Sequence, residues 1–98
     1  MNMQKLMAQA QQMQKSINQK KDKIESMEFK ASNEFVDVIV NGKKELKNVI
    51  VKMESLDKDD IEVLQDMICL AINDANKQVD KEFEKEMGAY GQSLNGLF

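Results

Sequence analysis

A pair of alternating segments on either side of the dipeptide Asn41-Gly42 constrains the fold most. In EFVDVIV (34–40), every second residue is a valine on one face of the segment. A period of two is typical of a β-strand, and Asn-Gly between two such runs is the strongest short hairpin signal. Residues 44–53 alternate in the same way, and 28–32 can add a first strand. The middle of the chain therefore predicts a three-stranded antiparallel meander.

Both faces of these strands carry large apolar side chains, although a solvated face should be polar. Helices of the same chain can cover one face, but no element remains to cover the other. A few tolerated surface apolar residues is the simpler alternative. We expect instead that a second copy covers this face across a two-fold axis. The predicted dimer interface comprises Phe35, Ile39, Leu46 and Ile50 from the strands, with Met67 and Leu70 from a second patch on the last helix.

Residues 3–27 predict a first helix, because apolar residues recur at alternating steps of three and four. We call the apolar face that opens it the α1 seam: Met3, Leu6, Ala10 and Met13. An amphipathic helix packed on a core is a simpler interpretation than a long coiled coil.

The last helix is predicted at 58–87, with Asp57, Asp59 or Asp60 able to cap it. Its apolar stripe ends at Val79. We therefore expect the first half of this helix to pack, on two sides, and the second half to project past the core. The tail, 88–98, is expected to be mobile or loosely docked.

Charge is distributed unevenly along a chain whose net charge is −3. Residues 1–23 carry five lysines against one aspartate, whereas 54–87 carry eleven acids against four lysines. All 14 basic residues are lysines. Lysine lacks the bidentate fork with which arginine reads guanine. Any nucleic-acid binding is therefore expected to rely on phosphates rather than on base edges.

Sequence motifs for catalysis or metal binding are absent, with no glycine-rich phosphate loop and no nucleophile elbow. The chain has no histidine, and its one cysteine, Cys69, lies among apolar residues. We therefore expect no enzyme, no cofactor, no metal and no small-molecule substrate. Without a long apolar run or a signal-peptide pattern, a single domain, 1–98, in the reducing cytoplasm is expected, with no membrane association.

Four stretches in register resemble the YbaB/EbfC family of bacterial nucleoid-associated proteins. The first helix carries LMAQAQQMQKSINQKKDKIESMEF, and the hairpin carries VDVIVNGKKELKNVIV. The last helix carries DKDDIEVLQDMICLAINDANKQV, centred on an Asn-Asp-Ala motif, and NGLF stands at 95–98.

The resemblance implies an α+β domain of order α-β-β-β-α, with two layers, assembled as a tweezer-like homodimer. It also implies binding of double-stranded DNA in the nucleoid, with effects on nucleoid organisation and gene expression. The lysines it points to are Lys15, Lys20, Lys21 and Lys23 on the first helix, and Lys77, Lys81 and Lys85 on the last. An alternative is a protein-interaction or holdase-like module without DNA binding, since two helices flanking a hairpin are also similar to prefoldin-type subunits.

Overall fold

The computed structural model describes residues 2–88 and contains the five predicted elements in the predicted order. They are α1 (Met3–Glu25), β1 (Glu28–Ser32), β2 (Val36–Asn41), β3 (Leu46–Val51) and α2 (Lys58–Met87). The strands form one antiparallel sheet in the order β1-β2-β3, so the predicted α+β class is confirmed. The first helix and the second and third strands begin or end one to two residues from the predicted bounds. From residue 89 onward, the predicted tail lies outside the described residues.

Local side-chain hydrogen bonds set where both helices begin. The Gln4 N–H donates to Oδ1 of the N-cap residue Asn2 at 3.0 Å. At α2 the backbone N–H of the N-cap residue Asp57 donates to Asp60 Oδ2, also at 3.0 Å. Acids in this first turn also lie favourably in the field of the helix dipole. No helix within residues 2–88 is both long and apolar enough to cross a membrane.

The predicted hairpin at Asn41-Gly42 is confirmed, and its loop has three residues. The Lys44 N–H donates to the Asn41 carbonyl at 2.9 Å, and the Asn41 N–H donates to the Glu45 carbonyl at 3.0 Å. The residue with positive φ is Lys44, at 63°, and not the glycine. Gly42 is needed for a different reason, because a Cβ there would overlap the backbone of Ile24 and Glu25 at the end of α1. Absence of a side chain permits this close approach of two backbones.

A bulge in β3 changes which face Leu46 occupies. Asn48 is paired with Ile39, but the next residue of β2, Val40, is paired with Leu46, so Lys47 is the extra residue. Directly paired residues share a face of the sheet. The prediction that Leu46 lies on the same face as Ile39 was therefore wrong. It lies on the face of Val40, toward the side that carries α2.

The core lies between α2 and the first two strands. Val36, Val38 and Val40 are fully buried, and β1 contributes Phe29 and Ala31. Small side chains on α2, Ala71 and Ala75, are also buried there. Strand β3 is different, because five of its six residues are exposed. In a single chain, β3 is an edge strand that neither helix covers.

The expected packing of α2 was wrong for its second half. Its first half packs only in part: Ile61 is 46% and Leu70 53% exposed, whereas Leu64, Ile68 and Ile72 are half-buried against the core. The buried row runs in steps of four: Ala71, Ala75, Val79 and Met87, with half-buried Phe83 between the last two. Such a row drifts about 40° around the helix at each step. The buried face therefore turns from the sheet toward α1 beyond Val79, and the second half packs instead of projecting.

The projecting arm is the first half of α1, in which every residue from 2 to 15 is exposed. The buried residues of this helix are Ile17 and Ile24, in its second half. There α1 runs antiparallel to α2, since Lys20 Nζ donates to the Glu86 carbonyl oxygen at 3.3 Å while Ile24 lies at the hairpin. The 23 residues of α1 thus divide into an unpacked N-terminal part and a packed C-terminal part.

Candidate nucleic-acid interface

The structure divides the four candidate lysines of α1 into two pairs. Lys20 and Lys21 are half-buried, because they lie on the same flank of the helix as Ile17 and Ile24. Lys15 and Lys23 are exposed and point away from α2. Lys20 already donates to α2, as described above. Lys15 and Lys23 are therefore the α1 lysines that are best placed for a ligand outside the chain.

The three candidate lysines of α2 share one exposed face. Lys77, Lys81 and Lys85 follow each other in steps of four, parallel to the buried row. Each lies two positions from a residue of that row, which places it about 160° away around the helix. Among residues 2–88, none of the three forms an ion pair. The structure thus brings them together as a row that faces away from the sheet.

Acids accompany this lysine row. Five carboxylates lie between residues 74 and 86: Asp74, Asp80, Glu82, Glu84 and Glu86. Asp80 is held by Lys44 of the hairpin, with Nζ and Oδ1 2.7 Å apart. This ion pair joins α2 to the β2–β3 loop and removes one acid from competition with the lysine row. Lys44 itself gives no signal in the sequence that would predict this contact.

The outer face of the sheet, which lacks a helix, is not purely apolar. At its centre Asp37 contacts Lys52 Nζ at 3.2 Å and Lys30 Nζ at 3.8 Å, so that all three strands or their ends contribute. A hydrogen bond with the Ser32 side chain, then one with Lys52, holds the pKa of Asp37 below its ordinary value. The negative charge of Asp37 is thereby favoured on this face.

The residues assigned to a dimer interface fall into three environments. Ile39 and Ile50 lie on the outer sheet face, where Ile50 is 45% exposed. Leu46 lies on the opposite face of the edge strand, and half-buried Met67 and exposed Leu70 lie on the first half of α2. Phe35 is half-buried and already packs against the core. The residues are therefore not on one flat face. Each except Phe35 lies at the end of the molecule formed by β3 and the first half of α2.

Several exposed apolar residues at this uncovered end were not assigned to the interface. Val51, Leu56, Ile61 and Val63 are each at least two-fifths exposed. Ile61 continues the sheet-facing stripe of α2 beyond the edge of the sheet, and the sequence gives no sign that the sheet ends there. We call the whole set around β3 and the first half of α2 the apolar end: Ile39, Leu46, Ile50, Val51, Leu56, Ile61, Val63, Met67 and Leu70.

The shape of one chain is far from compact. Its principal extents are 71 × 20 × 15 Å and its radius of gyration is 19.2 Å. A compact domain of this length has a radius of gyration of about 13 Å. The α1 arm extends from one end of the sheet, and the first turns of α2 extend from the other. The arrangement offers two extended surfaces, one bearing lysines and one apolar.

Comparison with known proteins gives one consistent result over almost the whole chain. The model of the YbaB/EbfC DNA-binding family matches residues 1–94. A nucleoid-associated protein of Streptococcus agalactiae serotype III is 45% identical over 96 residues, covering 96% of this chain and 97% of that protein. One from Streptococcus equi subsp. zooepidemicus is 42% identical, with the same coverage of both chains. One from Ligilactobacillus salivarius is 34% identical over 99 residues, covering 99% of this chain and 95% of that protein.

Proposed function

Because the chain belongs to the YbaB/EbfC DNA-binding family, we propose that it binds double-stranded DNA as a nucleoid-associated protein of the bacterial cytoplasm. The observation that carries this proposal is the family match over residues 1–94, which confirms the family resemblance and covers three of the four stretches that showed it. The similar proteins are named for nucleoid association, and the matches span both chains almost completely. Through DNA binding, the protein would influence nucleoid organisation and gene expression.

The proposed DNA contacts are phosphate contacts made by lysines on the two helices. Lys15 and Lys23 on α1 and the row of Lys77, Lys81 and Lys85 on α2 are exposed, so their ammonium groups can reach a ligand. Lys20 and Lys21 lie between the two helices and add positive charge where α1 and α2 meet. Without arginine, base readout through bidentate contacts is weak, and affinity comes from counterion release.

The active unit is proposed to be a homodimer formed through the apolar end. Its support is the exposure of large apolar side chains on both β3 and the first half of α2, such as Ile50 and Leu70. A clustered apolar surface of this kind marks an interaction site rather than an ordinary solvated surface. A two-fold dimer covers such a surface with a copy of itself and leaves both lysine-bearing arms outside.

A salt titration tests the DNA-binding proposal. Binding of a labelled duplex is measured by fluorescence anisotropy at about 50 and about 200 mM salt, a range over which phosphate-driven affinity falls steeply. Log affinity plotted against log salt has a slope of about −0.9 for each phosphate neutralised. Absence of binding at the lower salt, or binding that salt does not weaken, contradicts the proposal.

A protein-interaction or holdase-like module is the second candidate, favoured by exposed methionines on the α1 arm. Met3 is 71% and Met7 58% exposed, and methionine adapts to varied apolar partners. Suppression of the aggregation of an unfolded client, measured by turbidity, together with no anisotropy change on duplex DNA, would favour this candidate over the first.

A further inference from the structure

The apolar face of α1 is covered along only part of its length. In the second half of the helix, Ile17 and Ile24 are buried against α2. The α1 seam (Met3, Leu6, Ala10 and Met13) continues the same face toward the N-terminus, since each member lies three or four residues from the next. Leu6 is nevertheless 40% and Met13 47% exposed. The seam is thus the uncovered continuation of a face that is packed elsewhere.

Helix α2, which covers this face, ends at the boundary between the packed and the unpacked part of α1. Met87, in the last turn of α2, is buried, and the neighbouring Glu86 carbonyl contacts Lys20. From Asp80 at the hairpin to Glu86 beside Lys20, α2 runs away from the sheet and toward the N-terminus of α1. The C-terminal end of α2 therefore lies beside the packed part of α1, and the axis of α2 points toward the seam.

The sequence after Gly88 has the composition that this surface requires. Residues 89–98, AYGQSLNGLF, lie outside the described residues. They carry no charged side chain and contain four large apolar residues: Tyr90, Leu94, Leu97 and Phe98. An extended chain spans about 3.3 Å per residue, whereas a helix rises about 1.5 Å per residue, so ten residues can pass along the whole seam.

We propose that residues 89–98 dock in the same chain along the α1 seam and complete the packing that α2 begins at Ile17. The occupant is this segment because it is attached to the end of α2 that points toward the seam and because its composition is uncharged and apolar. Lys15 lies on the opposite side of α1 from Ile17 and remains available to a ligand when the segment is docked. The proposal does not depend on DNA binding and is tested without DNA.

Disulfide formation between the segment and α1 tests the proposal. In a Cys69→Ser background, which removes the one native thiol, Ser93→Cys is combined either with Ala10→Cys or with Ala8→Cys. Ala10 lies on the seam, and Ala8, two residues away, lies on the opposite face; both are exposed alanines. Oxidation proceeds at low protein concentration, and products are separated by non-reducing electrophoresis, with circular dichroism confirming that both variants keep their helices.

We expect the Ala10→Cys pair to form an intrachain disulfide at least about tenfold faster than the Ala8→Cys pair, because docking raises the effective concentration of the thiols. Equal rates overturn the proposal, since they show a segment without a preferred face. Covalent dimers as the main product also overturn it, because they show that the segment of a second copy occupies the seam.

A second comparison tests whether apolar contact, and not proximity alone, holds the segment on the α1 seam. In the Ala10→Cys/Ser93→Cys chain, Leu94→Asp should slow the intrachain disulfide severalfold, because it places a charge against the seam. Gln92→Asp adds the same charge at a polar position and should leave the rate unchanged. Equal slowing by both variants overturns the apolar docking.

Discussion

The backbone of Ile24 leaves no space for a Cβ on Gly42, so the end of α1 rests directly on the β2–β3 loop. This contact fixes α1 against the hairpin. Gly42→Ala should lower the free energy of unfolding by about 2 kcal/mol or more, because the backbones must separate to admit the methyl group. Urea denaturation followed by circular dichroism measures the change.

Gly88→Ala is the matched control for that substitution. A Cβ on Gly88 meets nothing within 4 Å, and its φ of −59° suits any residue. Stability should be unchanged or slightly raised. If both alanine variants lose the same stability, close approach at Gly42 is not the reason for its glycine.

Removal of lysines from the α2 row should weaken DNA binding and reduce its salt dependence. Lys81→Gln and Lys85→Gln, made together, are expected to reduce the slope of log affinity against log salt by about two, if each lysine contacts one phosphate. Fluorescence anisotropy over a salt series measures the slope. Lys30→Gln on the outer sheet face serves as the control, because Lys30 lies on the sheet and not on the arm. A slope that changes equally in both variants contradicts a specific role for the row.

Ile50→Lys should shift the proposed homodimer toward monomer, because the new charge is placed within the apolar end. Light scattering coupled to size exclusion, at tens of micromolar and below, measures the mass. Gln11→Lys adds the same charge on the exposed α1 arm and should leave the mass unchanged. A monomer mass for the unmodified protein at these concentrations would rule out the homodimer.

Stability should decrease in acid through Asp37. Its folded pKa lies below the ordinary value of 3.8, because of the hydrogen bonds with Ser32 and Lys52, so protons bind more tightly to the unfolded chain. The contribution of Asp37 is therefore present above pH 3.8 and is lost as the pH falls through the folded pKa. The difference in urea midpoint between pH 6 and pH 3 should be smaller for Asp37→Asn than for the unmodified protein.

The element order and the strand-facing pattern of β2 could be predicted from sequence, because both depend on local periodicity. Val36, Val38 and Val40 alternate cleanly, and all three are buried. The packing of α2 could not be predicted in the same way, since its buried row turns from one neighbour to another along the helix. An apolar stripe that keeps one direction along the helix ends at Val79, as the sequence predicted. The observed buried residues, spaced in steps of four, continue to Met87.

The face of Leu46 depends on one extra residue in β3, which the sequence does not mark. The prediction rests on side chains of β3 that alternate between the two faces of the sheet without interruption at Lys47. One extra residue there moves each side chain beyond it to the other face. The candidate lysines are a different case, because α1 and α2 had to be placed side by side before Lys20 and Lys21 could be distinguished from Lys15 and Lys23. That distinction depends on tertiary contacts and not on spacing.

The 71 Å length of one chain sets the length of DNA duplex that can lie beside one subunit. B-form DNA advances about 34 Å for each helical turn. A duplex lying along the long axis would therefore pass one subunit for about two turns, on the order of 20 base pairs. A compact domain of the same mass would accompany roughly half as much, so an elongated subunit can occupy DNA with fewer copies per kilobase.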